Sequence, residues 1–228
     1  MITKKRKFSR KEIKEDKLVS FVYKARSFYE EHTNKIFTYG AVAVVAVALA
    51  YFYVNQKRTD NEIAGVELSR TMILYDQGAY LQAIEGQQGT NIIGLKTIVE
   101  EYGGSENGES AKIFLENSYS FLGNYEEALK YYKDYSGSID YFKASSISGR
   151  AGYYASKKDY EEAAALYLEA SGITEVNALN PEYLLNAGIN FIKAGNKKEA
   201  KTLFETIREK YSTSLAGREI GQYLALVN

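Results

Sequence analysis

Side chains that could do chemistry are scarce in this sequence. Its 228 residues include no cysteine and one histidine, His32. That composition excludes disulfides, thiolate metal sites and cysteine nucleophiles, and it leaves a Ser-His-Asp triad or a multi-histidine metal site nothing but His32 to draw on. Glu126-Glu127 and Glu161-Glu162 are paired carboxylates of the type used in acid–base work. Each pair, however, opens a helical pattern, where negative charge complements the positive end of the helix dipole. Glu100-Glu101 has no ligand-like partner in sequence, and Gly103-Gly104-Ser105-Glu106-Asn107-Gly108 lacks the Lys-Ser/Thr of a phosphate loop. His32 reads as a polar residue at the edge of an apolar segment. No catalytic, cofactor-binding or metal-binding residue is assigned, and the chain is read as a non-enzyme.

The elements that would position any site are helices. One proline, Pro181, stands in the whole chain, and long helices tolerate little else. The 29 basic and 29 acidic residues balance, but unevenly along the chain. Residues 1–35 hold eleven Lys/Arg and five Asp/Glu, a net of +6; the residues after Val54 hold eighteen and twenty-four, a net of −6. Between them Ile36–Val54 runs nineteen residues without a charge, about 28 Å of helix at about 1.5 Å per residue, close to the hydrocarbon thickness of a bilayer. Phe37 and Tyr39 near one end, and Tyr51, Phe52 and Tyr53 near the other, suit the headgroup region. A single transmembrane helix is expected. Ala48-Leu49-Ala50 has the small-x-small form of a signal-peptide cleavage site, but the preceding charged region is too long and the apolar run continues past the cut. A buried core helix is the other alternative, and uncharged runs of this length are uncommon in soluble domains.

The basic excess places residues 1–35 on the cytoplasmic side and the acidic remainder across the membrane, in the periplasm if the cell has two membranes. Lys57 and Arg58 on the far side weaken the asymmetry. Within the arm, Ser9 and Glu12 stand in capping-box spacing, and Leu18, Phe21, Val22, Ala25, Phe28 and Tyr29 form one apolar stripe. The arm can lie against anionic lipid over residues 4–26, dock on a membrane partner, or simply set topology. Nucleic-acid binding is not expected, because the domain behind the arm is acidic and carries no reading motif. In the apolar helix Gly40, Ala43, Ala46 and Ala50 fall on one face, a candidate contact with another membrane subunit.

Residues 59–228 contain a repeat. Gly78-Ala79-Tyr80-Leu81-Gln82-Ala83, Gly123-Asn124-Tyr125-Glu126-Glu127-Ala128, Lys158-Asp159-Tyr160-Glu161-Glu162-Ala163 and Gly195-Asn196-Lys197-Lys198-Glu199-Ala200 align. The terminal alanines are 45, 35 and 37 residues apart, and a period near 34 indicates a tetratricopeptide array of stacked helical hairpins. Leu115 and Tyr119, Ala151 and Tyr154, and Gly188 and Phe191 occupy the small and aromatic places of the first helices. Lys158 replaces a turn glycine, and Arg70 and Thr71 stand where apolar or small residues belong. The expected fold is all-α: a single transmembrane helix followed by an α-solenoid. Its parts are a basic arm at 1–35, a span at 36–54, a linker at 55–61 and a repeat domain at 62–228. That domain comprises one degenerate repeat, an insertion helix Leu95–Tyr102, three further repeats and a capping helix Leu215–Val227.

This layout resembles the ancillary subunit of the bacterial Sec translocon and its relatives in diderm bacteria. The resemblance implies a membrane-tethered, periplasmic-side binding module of the inner membrane, working beside a translocon or with chaperones. The alternative is an accessory structural subunit of a large membrane complex. First-helix positions line the concave face of such arrays, which selects Ile113, Asn117, Ser120, Ser148, Gly152, Ala155, Leu185, Ile189 and Ile192 as a candidate groove for a helix or an extended apolar segment; the same side chains could instead pack on the next repeat. Chaperone-adaptor members of the repeat family hold a C-terminal carboxylate with Lys and Arg, but the matching places here carry Ile113, Phe114, Ser145 and Gly149, with Asn117 the one clamp-like residue.

Overall fold

Helices account for nearly all of the regular structure, as the apolar spacing and lack of proline require. The computed structural model describes residues 10–227, with side chains from residue 19 onward. The capping-box pair Ser9/Glu12 and the basic cluster of residues 4–11 therefore lie outside the described side chains. The helices are α1 (Arg10–Asp76), α2 (Tyr80–Glu85), α3 (Leu95–Tyr102), α4 (Glu106–Phe121), α5 (Tyr125–Asp134), α6 (Asp140–Ser156), α7 (Tyr160–Gly172), α8 (Asn180–Lys193), α9 (Lys197–Lys210) and α10 (Leu215–Ala225). Among the described residues the only strand-like pairing is an isolated bridge between Gly86 and Ile93.

The chain divides into two units, Met1–Gln56 and Lys57–Asn228. The first is helical from Arg10, and every side chain from Ile36 to Val54 is exposed. By length and composition this helix can cross a membrane. His32 stacks on Phe28 with ring centroids 4.5 Å apart, and its Nδ1 lies 3.1 Å from the Phe28 carbonyl oxygen. Residues 55–61, expected as a linker, contain the boundary between the two units and are helical. They hold no Gly or Pro. In the second unit, Asn61 fixes the start of α4: the Asn107 N–H donates to Asn61 Oδ1 at 2.7 Å, and the Asn107 side-chain amide donates to the Asn61 carbonyl at 2.8 Å.

Four hairpins of the second unit turn in the same way. The amide of Ala79 reaches the Leu74 carbonyl, Asn124 that of Tyr119, Asp159 that of Tyr154, and Asn196 that of Phe191, at 2.8–3.0 Å. The preceding residue bonds back three positions in every case. This double closure needs a left-handed residue, and Gly78, Gly123 and Gly195 supply it at φ of 74°, 76° and 89°. The third turn uses Lys158 at φ 65°, where a Cβ is strained. Lys158→Gly is therefore expected to raise stability by about 1 kcal/mol, read as a higher urea midpoint in mild detergent; an unchanged or lower midpoint refutes it.

Burial follows the repeat. The signature alanines Ala83, Ala128, Ala163 and Ala200 are at most 1% exposed. A first core joins Ala64, Leu68 and Leu74 of α1 to Ile84, Leu95 and Leu115. A second joins Ile147 and Ala151 of α6 to Leu166, Ala170 and Tyr183. The last joins Leu184 and Leu185 to Phe204, Ile207, Ile220 and Leu224, so α10 covers the end of the array. Thr71, unexpected at a place for apolar or small residues, is fully buried and donates its hydroxyl to the Ile93 carbonyl at 2.6 Å; it tethers the insertion between α2 and α3.

The glycine-rich segment before α4 proves to be a helix start. Ser105 Oγ donates to the Tyr102 carbonyl and accepts the Gly108 amide. Ser214 Oγ repeats the arrangement with Tyr211 and Gly217 before α10. Both segments read Tyr-x-x-Ser-x-x-Gly, so α4 follows α3 as α10 follows α9.

Candidate functional site

The inner helices of three consecutive hairpins enclose a cavity of about 380 Å³. α4 contributes Asn117 and Ser120, and α5 contributes Tyr125 and Tyr132. From α6 come Ser145, Ser148, Gly149 and Gly152, and from α8 come Glu182, Tyr183 and Asn186. The last turn of α6 brings Tyr153 and Ser156, and the middle of α7 brings Tyr167, to its lining.

Glycine at 149 makes room for the wall: a Cβ there would collide with the Tyr132 ring. The ring is 5% exposed, and its hydroxyl donates to Asn117 Oδ1 at 3.1 Å while Ser120 Oγ lies 3.1 Å away. With that proton committed to Asn117, Ser120 is the donor to Tyr132. Burial pushes the Tyr132 hydroxyl's pKa well up and also raises those of Tyr167 and Tyr183. These phenols are neutral hydrogen-bonding groups. Tyr183, 5% exposed, has a hydroxyl near Ser148 and Asn177 that closes no hydrogen bond with either. Beside Asn117 the surface passes into a group of rings. Tyr75 lies edge-on to Phe114 at 5.2 Å, and Tyr80 stacks on Phe121 at 4.6 Å, with Phe121 well exposed.

Of the groove residues selected from sequence, Asn117, Ser120, Ser148 and Gly152 line this cavity. The others do not. Ile113 and Leu185 are 2% and 6% exposed, and Ile189 and Ile192 pack with Leu185 on the C-terminal core. Those three fall on the α8 stripe facing α9 and α10, so Glu182, Tyr183 and Asn186 take the cavity side. Tyr132 and Tyr167, which pack between the helices, also border the opening. Ser145, Ser148, Gly149 and Gly152 on one face of α6 are the serine- and glycine-rich sequence signal that a cavity lies against that face, while Ile147 and Ala151 pack in the core. The membrane-face residues Gly40, Ala43, Ala46 and Ala50 are all exposed on α1.

A second polar cluster lies behind α4. Lys112, 6% exposed, donates to Glu109 at 2.8 Å and to Asp134 at 2.7 Å. Glu109 also accepts the Ser136 amide and hydroxyl. Burial pulls the Lys112 pKa down, but the bonded carboxylates of Asp134 and Glu109 outweigh it and leave it raised. One turn on, Glu116 is fully buried, with neither carboxyl oxygen bonded. Burial raises its pKa well above the ordinary value, against the pull of Lys112. The folded state therefore holds this proton more tightly than the unfolded chain. The stabilisation is complete below the unfolded value of about 4.3 and is lost as pH rises through the folded value. Melting curves of the wild type are expected to fall in midpoint above that window relative to Glu116→Gln. Parallel pH profiles would refute the assignment.

Residues 182–214 and residues 117–136 match the tetratricopeptide repeat family. The first segment covers α8 and α9; the second runs from the end of α4 through α5. No curated protein and no solved structure matches the chain. The matched repeats are protein-interaction modules in type, and a protein-binding adaptor or scaffold role follows from them.

Proposed function

We propose that this chain is a membrane-tethered adaptor whose repeat unit binds polypeptide segments in the cavity between α4 and α8, on the extracytoplasmic side of a bacterial inner membrane. The observation that carries the reading is the cavity itself: three successive hairpins present amide and hydroxyl groups beside exposed rings. Such a surface suits backbone hydrogen bonds with an apolar side chain laid on Phe121 and Tyr80. Binding, not turnover, is the proposed activity. Service at a translocon or with periplasmic chaperones is the specific form that the layout favours.

The uncharged, exposed stretch Ile36–Val54 supports the tether, and the stripe Gly40, Ala43, Ala46 and Ala50 is its proposed contact with a membrane subunit. That stripe also favours a second reading, in which the chain is an accessory subunit held in a complex through α1; residues 4–26 would then meet the partner or anionic lipid.

Three measurements test the proposal. The intact chain should stay in the pellet after a carbonate wash, and protease added outside spheroplasts should digest the repeat unit. A photo-crosslinking residue at Ser148 should capture polypeptide where one at exposed Glu209 does not. Release by carbonate refutes the tether, protection from protease refutes the orientation, and equal capture at the two positions refutes the binding site.

A further inference from the structure

We infer that the cavity between α4 and α8 receives a cationic side chain, lysine or arginine, of the bound segment. This deepens the binding role proposed above and rests on it. The lining carries no Lys, Arg or His, and its single charged side chain is Glu182. Glu182 forms no ion pair among the described residues. Lys157, which stands 5.4 Å from the ring centre of the lining residue Tyr153, is already engaged: its ammonium pairs with Glu126 at 2.6 Å.

The rest of the lining is rich in oxygen. Asn117 Oδ1 has a lone pair beyond the one that accepts Tyr132, and Ser120, Ser148 and the tyrosines add hydroxyl oxygens. The Tyr183 hydroxyl, buried near Ser148 and Asn177, closes no hydrogen bond with either. An ammonium brings three donors and a guanidinium five, with no acceptors, which complements this set. Ring faces add cation–π attraction. The competing occupants fit worse. A carboxylate would meet Glu182 without a compensating cation, in a unit whose residues after Val54 carry a net −6. An apolar side chain would cover the ring faces of the lining but strip water from Glu182 and these oxygens without replacing it.

The test uses the full-length protein, immobilised in mild detergent, and a synthetic library of random dodecapeptides whose captured members are sequenced. Lys and Arg should be enriched about tenfold at one position relative to the input. Glu182→Gln should reduce that to about twofold without lowering total capture. Glu161→Gln, a control at an exposed acid outside the cavity, should retain the full enrichment. Capture without cationic enrichment, or enrichment that survives Glu182→Gln or vanishes equally in Glu161→Gln, overturns this inference while peptide binding stands. Capture no greater than by beads without protein overturns both.

Discussion

Phe204→Ala is expected to cost the repeat unit about 3–5 kcal/mol. Its ring is fully buried among Leu184, Ala200, Ile207 and Ile220. It also fills the notch left by Gly188, where a Cβ would collide with it, and it lies 5.7 Å from the Tyr223 ring. One side chain thus joins α8, α9 and α10. Removing it leaves a cavity that three helices would have to collapse to fill, and α10 loses its seat. Hairpins that contact mainly their neighbours share stability through their interfaces, so the C-terminal end should open first. Urea unfolding of the full chain in mild detergent, followed by far-ultraviolet circular dichroism, measures the loss. A change below about 1 kcal/mol would show that the site collapses freely.

Lys112→Ala should be nearly as damaging, at about 3–5 kcal/mol. The variant strands the Glu109 carboxylate, whose side chain is 10% exposed, without the ammonium bonded to it. Glu109 would keep the Ser136 amide and hydroxyl, but two neutral donors do not replace an ammonium. The double variant Lys112→Met/Glu109→Leu removes the charge as well as its partner, and it should recover most of the loss. If the double variant is no better than the single one, the damage comes from packing and not from an isolated charge.

Much of this fold could be read from the residues because the signals were local. The helical spacing, the turn glycines Gly78, Gly123 and Gly195, and the buried alanines each depend on a few neighbouring positions, and the hairpins form where those positions predict. Leu95–Tyr102 was legible for the same reason. Residues 55–61 were expected as a linker, and the boundary between the two units falls inside them; their helical state and the Asn61–Asn107 pairing were not legible, because that pairing spans 46 residues. Thr71 belongs to the same class, since its partner Ile93 is 22 residues away.

The cavity was half legible. Asn117, Ser120, Ser148 and Gly152 follow from repeat register, which holds well around Ala128 and Ala163. On α8 the register argument chose the apolar stripe Leu185, Ile189 and Ile192, and apolar stripes are claimed by whatever core lies nearest. The terminal helix α10 supplies that core. Nothing in the sequence marks Tyr183 as having an unsatisfied hydroxyl, because that depends on how α6, α8 and the loop before α8 meet.

Tyr132 bears on more than recognition. Its ring wedges into the space above Gly149, between the hairpin α4/α5 and the hairpin α6/α7, and its backbone carbonyl is gripped by Ser146 at 2.7 Å. The same residue shows its hydroxyl to the cavity. A segment bound there as proposed would press on the seam between two repeats and act as a splint, so a loaded array should flex less than an empty one.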